Sequence, residues 1–291
     1  MTLGIRKPYY AGQFYEGDAD ELEAYITRTA KEEMETVSST DNVRAVILPH
    51  AGYRFSARTA IKTLLRAAES NYSKIVVLAP SHRVSFRGAA IVDYDCYRTP
   101  LGDIKLDAEA VEEIMELENP LLPPLVQAHQ YEHSLEVELP LLQHFFGAFE
   151  LIPLICGAVN EKIAVNIATD LKKLWRKDVL WVVSSDFTHY GHSFSYVPFE
   201  ENVKENLRQL DLGAVQLIVN EDLTGFCSYL KETGATICGA GPIKILLAAI
   251  QAAAAGNEKL NAELVHYITS GDLTGDFKHC VSYAGIAFSK S

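Results

Sequence analysis

The chain of 291 residues is 48% hydrophobic and carries a formal net charge of -12. That composition supports a large core, and acidity without clustered Lys and Arg argues against a phosphate backbone as partner, so no nucleic acid is expected. The opening residues lack the apolar centre of a signal peptide, no run approaches the roughly 18 apolar residues that would cross a bilayer, and Cys96, Cys156, Cys227, Cys238 and Cys280 contain no C-x-x-C pair. A soluble cytoplasmic protein with reduced thiols and no membrane association is expected.

Taken in order, "DADELEAYITRTAKEEME" has the apolar spacing of an amphipathic helix, and "SSTDN" reads as a linker. "VRAVILP" (43–49) is an apolar, β-branched run expected to form a strand covered on both faces. A helix is predicted over 57–69, a second buried strand over 74–80, a shorter strand at "GAAIVDY" and a hairpin through "CYRTPLGDIKL". Helices follow near 107–118 and 133–146, then strand "FELIPLIC", a helix over 161–175 and strand "VLWVVSS". Residues 198–255 read as mostly helical, and "AELVHYITSG" and "HCVSYAGIAF" as two strands pairing at a sheet edge. This alternation predicts one α/β domain over 1–291, with a mixed, mostly parallel central sheet flanked by helices.

In such sheets, sites form beyond the carboxyl ends of the strands. There the first strand is followed by His50, the second by His82, and "VVSSDFTHYGH" delivers Asp186, His189 and His192. The prolines and small residues around "PHAG" and "PSH" let the backbone turn while an imidazole projects into the crevice.

Two histidines need a third donor to hold a metal and leave positions open. Cys238, in "TICGAGPI" before an alanine-rich helix, is a candidate, because a helix N-terminus favours thiolate. Two alternatives stand beside that one: a buried structural thiol, and a nucleophile served by His189 and Asp186. Glu132, at the start of a helix in "HQYEHSLEVELP", reads as a cap, and His133 as a cleft residue. No nucleophile elbow, P-loop or H-E-x-x-H motif occurs.

Eight ordered blocks, "PYYAGQFY", "ILPHAGYRFS", "LAPSHRV", "YRTPLGDIKLD", "YEHSLEVELPLL", "SSDFTHYG", "TICGAGPI" and "SYAG", resemble the Memo family over nearly the whole chain. The resemblance implies a fold similar to that of class III extradiol dioxygenases, non-haem iron enzymes that use two histidines and a glutamate as ligands and a further histidine as acid/base. By motif, His50 and His82 resemble the ligands, His189 resembles the acid/base residue, and Cys238 takes the place of the glutamate. A soft thiolate shifts preference toward copper or zinc without excluding iron, so ring cleavage is not inherited with the fold.

Animal members are associated with motility signalling, phosphopeptide binding and copper- or iron-dependent redox activity. Microbial members are commonly encoded with a radical-SAM protein and a further small partner, the AmmeMemoRadiSam system. Phe14 and Tyr190 stand where tryptophans are usual, which argues against phosphotyrosine recognition. Two functions are expected to compete. One is metal-dependent redox chemistry on an unknown small molecule, with His50, His82 and Cys238 as ligands, Asp186 orienting His189, and His133, Tyr53, Phe14 and Tyr190 lining the cleft. The other is a binding module that uses the same cleft for a peptide, small anion or partner protein.

Overall fold

The computed structural model describes residues 3–40, 42–117 and 119–290. The elements run β1 (Ile5–Arg6), α1 (Ala19–Glu33), β2 (Val43–Leu48), α2 (Tyr53–Ala67), β3 (Lys74–Pro80), β4 (Ala89–Ala90), β5 (Cys96–Thr99), β6 (Gly102–Lys105), α3 (Ala108–Glu116), α4 (Val126–Gln130), α5 (His133–Glu136), α6 (Glu138–Phe146) and β7 (Glu150–Cys156). They continue with α7 (Glu161–Asp170), β8 (Val179–Ser184), β9 (His189–Gly191), α8 (Val203–Val219), α9 (Leu223–Thr233), α10 (Ala240–Ala255), β10 (Leu260–Thr269), α11 (Ser270–Thr274) and β11 (His279–Lys290).

The central sheet has the order β10-β11-β2-β8-β3-β7-β4, and β9 pairs with β11 off that path. β2, β8, β3 and β7 are parallel, whereas β11, β10 and β4 join antiparallel, so the sheet is mixed as expected. Every residue of β2 and β8 is buried, as strands covered on both faces require. α2 packs on β2 and β11, and α10 packs on β3, β8 and α7.

Several boundaries differ from the sequence expectation. "GAAIVDY" contributes only two ladder residues, Ala89 and Ala90; Ile91 makes an isolated bridge to Pro124 and the chain then leaves the edge. The hairpin of β5 and β6 forms a separate three-stranded sheet with β1. α2 starts four residues earlier than predicted, at Tyr53, capped by Gly52. The helix predicted over 133–146 is broken at Val137 into α5 and α6, and the one over 161–175 ends at Asp170 in a short 3-10 turn. Glu118, the predicted end of α3, and Asp41 of the predicted linker lie outside the described residues. No helix among the described residues is long and apolar enough to cross a membrane.

Candidate metal centre

The order β2-β8-β3 explains why the histidines meet. His50 follows β2 and His82 follows β3, so they stand on either side of the end of β8, where Ser184 lies. Their ring centroids are 5.3 Å apart, and His133, at the start of α5, sits 5.4 Å from His50 and 4.5 Å from His82. Cys238 enters from the turn before α10, with Sγ 3.3 Å from His50 Nε2. Ligand atoms of His50, His82 and Cys238 all lie within 4.8 Å of one another.

The donors fit a metal on two grounds. Bonds of about 2.0 Å to nitrogen and 2.3 Å to sulfur at a tetrahedral angle place N and S about 3.5 Å apart, near the His50–Cys238 separation. Each histidine is also oriented through its other nitrogen, as ligating imidazoles usually are. His50 Nδ1 is 2.7 Å from Ser184 Oγ. His82 Nδ1 is 2.8 Å from Glu132 Oε1, and the His82 backbone N–H donates to Glu132 Oε2 at 2.7 Å.

Glu132 does more than the cap read from sequence. It accepts from the backbone N–H groups of His133 and Ser134, both at 3.1 Å, and clamps His82 at the same time. Burial alone would raise its pKa, but hydrogen bonds from His133 and His82 outweigh that and hold the carboxyl well below its usual range. An ionised Glu132 accepts the Nδ1 proton of His82 and leaves Nε2 as the lone-pair atom. Glu132, His82 and His133 also cluster closely enough to be considered as ligands. With the His82 and His133 rings and three backbone N–H groups already filling Glu132, its role there is to orient.

Electrostatics correct one expectation for Cys238. Desolvation, followed by the neighbouring Asp186 carboxylate, pushes the thiol well above its ordinary pKa, although backbone N–H groups of Asp186 and Gly239 act the other way. The turn before α10 therefore does not generate a thiolate by itself; a cation held by the same residues would favour one. His50 is driven well below its ordinary pKa by burial and then by His133 and His82, so it stays neutral and able to ligate.

The remaining predicted site residues divide. Asp186 does not hydrogen-bond His189: its Oδ1 accepts the His50 backbone N–H at 2.9 Å, and its own N–H donates to Cys238 Sγ at 3.2 Å. His189 is instead oriented by two carbonyls, Phe187 at 3.0 Å and Thr236 at 3.1 Å from Nδ1, which fixes the proton there and leaves Nε2 as acceptor. Phe14 packs 4.9 Å from the His133 ring, at the cleft. Tyr53 is buried with its hydroxyl tied to the Val137 carbonyl at 2.9 Å. Tyr190 stacks on Phe199 at 5.3 Å, donates to the Phe199 carbonyl and packs with Leu207 and Cys280, away from the histidine cluster.

Sequence reading missed Ser184, Ser134, Glu138 and Thr236, which hold the site from behind. The doubled serine ahead of Asp186 was the available signal for Ser184; the others have none in one dimension. A cavity of about 830 Å³ lies at the β5-β6 hairpin beside Gln143 and His144, and none of the clustered histidines nor Cys238 lines it. A cavity of about 740 Å³ lined by Phe14, Tyr53 and Arg54 reaches the histidine cluster through Phe14, whose ring packs on His133.

With the geometry in view, comparisons give the chain its relatives. The family profile described as "Memo-like protein" matches residues 6–287. A MEMO1 family protein of Archaeoglobus fulgidus is 33% identical over 98% of this chain and 99% of its own. One from Methanopyrus kandleri is 31% identical over 97% and 98%, and one from Thermococcus onnurineus 30% over 98% and 100%. Among solved structures, the uncharacterized protein JW3007 from Escherichia coli K12 superposes with a TM-score of 0.54 at 14% identity, over 84% of this chain and 99% of that one, a likeness of fold alone.

Proposed function

The chain belongs to the Memo-like family, and from that premise we propose a cytoplasmic, metal-dependent protein that carries out redox chemistry on a small molecule in the cleft between β2, β3 and α10. The observation that carries the proposal is the meeting of His50, His82 and Cys238 within 4.8 Å, each histidine oriented through its second nitrogen. Copper or iron is the expected ion, with zinc as a further candidate, because thiolate and imidazole donors suit all three. When bound, such an ion would supply electron transfer and Lewis acidity.

The rest of the work falls to the chain. His189, with Nδ1 committed to two carbonyls, offers Nε2 to take or return a proton. Asp186 holds the backbone of His50 and the sulfur of Cys238 in register. His133 and Phe14 form an aromatic wall against which a planar substrate can lie. A radical-SAM protein is a candidate partner on the family resemblance. Metal analysis of anaerobically purified protein tests the proposal. One ion per chain, lost in His50→Ala and Cys238→Ser, is expected; metal content indifferent to both substitutions refutes it.

A second reading, a non-catalytic binding module for a peptide, small anion or partner protein, is favoured by the cavity of about 740 Å³ beside Phe14, Tyr53 and Arg54. Retained partner binding in Cys238→Ser, with no turnover by the metal-loaded wild type, is the result that selects it.

A further inference from the structure

Glu138, the first residue of α6, is fully buried, and its Oε2 has no hydrogen-bond partner among the described residues. Its Oε1 lies 2.8 Å from Ser184 Oγ. The same hydroxyl oxygen is 2.7 Å from the Ser134 carbonyl and 2.7 Å from His50 Nδ1. Ser184 thus has three close partners and a single proton to give. A carbonyl can only accept, so Ser134 takes that proton, and the two other partners must donate to Ser184.

We infer that Glu138 is a neutral carboxylic acid donating its proton to Ser184, and that Glu138 and Ser184 together form a positioning device that holds His50 with its proton on Nδ1 and its lone pair on Nε2, facing Cys238. The purpose assigned to this device rests on the metal reading above; the placement of the two protons does not. Two further observations agree. Burial, and then the Asp186 carboxylate, raise the Glu138 pKa well above its ordinary value, more than the Ser184 hydrogen bond lowers it. An unpartnered Oε2 also costs less as the carbonyl oxygen of an acid than as half of a carboxylate. The site therefore uses two glutamates in opposite states: ionised Glu132 accepts from His82, and neutral Glu138 donates toward His50.

The test uses the full chain without metal, then with Zn²⁺ alone as probe. At neutral pH, infrared difference spectra should show the carbonyl stretch of a protonated carboxylic acid, absent in Glu138→Gln. Nitrogen-15 NMR should place the His50 proton on Nδ1, with the resonance assigned by its loss in His50→Gln. Ser184→Ala should mix the His50 tautomers and weaken Zn²⁺ binding by about ten-fold or more. Glu138→Gln, whose amide N–H replaces the acid proton, should keep both the tautomer and the wild-type affinity. Absence of the acid band from the wild type, or a His50 proton on Nε2, overturns the inference. A wild type that shows both signatures yet takes up no Zn²⁺ upholds the proton placement and refutes the metal role instead.

Discussion

Glu132→Gln is a nearly isosteric change, and its cost follows from counting donors. Oε2 accepts from the His82 backbone N–H, while Oε1 accepts from His82 Nδ1 and from the N–H groups of His133 and Ser134. A glutamine has one oxygen for these two positions. If the oxygen keeps the three donors at Oε1, the new NH₂ faces the His82 backbone N–H, donor against donor; the reverse orientation orphans three. A buried donor left without a partner costs about 1–3 kcal/mol. Loss of the group that orients a ligating histidine typically weakens metal binding 10- to 100-fold, or about 1.4–2.7 kcal/mol. Metal-free Glu132→Gln should therefore be less stable to urea by about 1–3 kcal/mol. Its Zn²⁺ affinity, measured by chelator competition, should fall at least about ten-fold. Stability and affinity both within error of wild type would refute the assignment of Glu132 as the clamp on His82.

Three further outcomes are expected. In Gly239→Ala the new Cβ overlaps the Cβ of Ser185 and crowds the Ser184 carbonyl, backbone and inner side-chain atoms that cannot swing away; overpacking should cost about 1–3 kcal/mol in thermal or urea unfolding and lower metal content by displacing Cys238. Burial lowers the pKa of His129 from 6.5 to about 3, so below pH 6.5 the unfolded chain binds a proton that the folded chain refuses, and stability falls with pH. By pH 5 this costs about 2 kcal/mol, and that share of the acid loss should vanish in His129→Gln as measured by urea unfolding from pH 8 to 5. Glu136→Ala strands buried Arg6 and frees the N–H groups of Tyr9 and Tyr10 and the hydroxyl of Tyr15; breaking such a pair should cost about 3–5 kcal/mol and raise hydrogen exchange over residues 6–17.

The parts of the site that sequence revealed are those set by chain direction. Parallel strands deliver their following residues to one rim, so His50, His82 and the "SSDFTH" segment could be placed together from apolar runs and the prolines that end them. The thiol at Cys238 was legible as a neighbour of a helix start. What failed depended on where side chains turn after the backbone is placed. Tyr190 follows His189 directly, but alternation along β9 sends it to the Phe199 side. Asp186 is three residues from His189 yet engages His50 and Cys238, because the chain bends after β8. Glu138 and Ser184 are 46 residues apart, and their meeting exists only after β8 has settled between β2 and β3.

That insertion has a consequence for how the molecule is made. β2 emerges early, but its two sheet neighbours are β8 and β11, synthesised more than a hundred residues later. Until they arrive, β2 has both edges bare, and His50 has neither Ser184 behind it nor Cys238 in front. Such distant pairings fold slowly and leave strands open to aggregation, so the nascent chain is where chaperone help is most needed. The same order delays the meeting of His50 with Cys238: with one residue at 50 and the other at 238, the imidazole and the thiol cannot come together before most of the sheet exists.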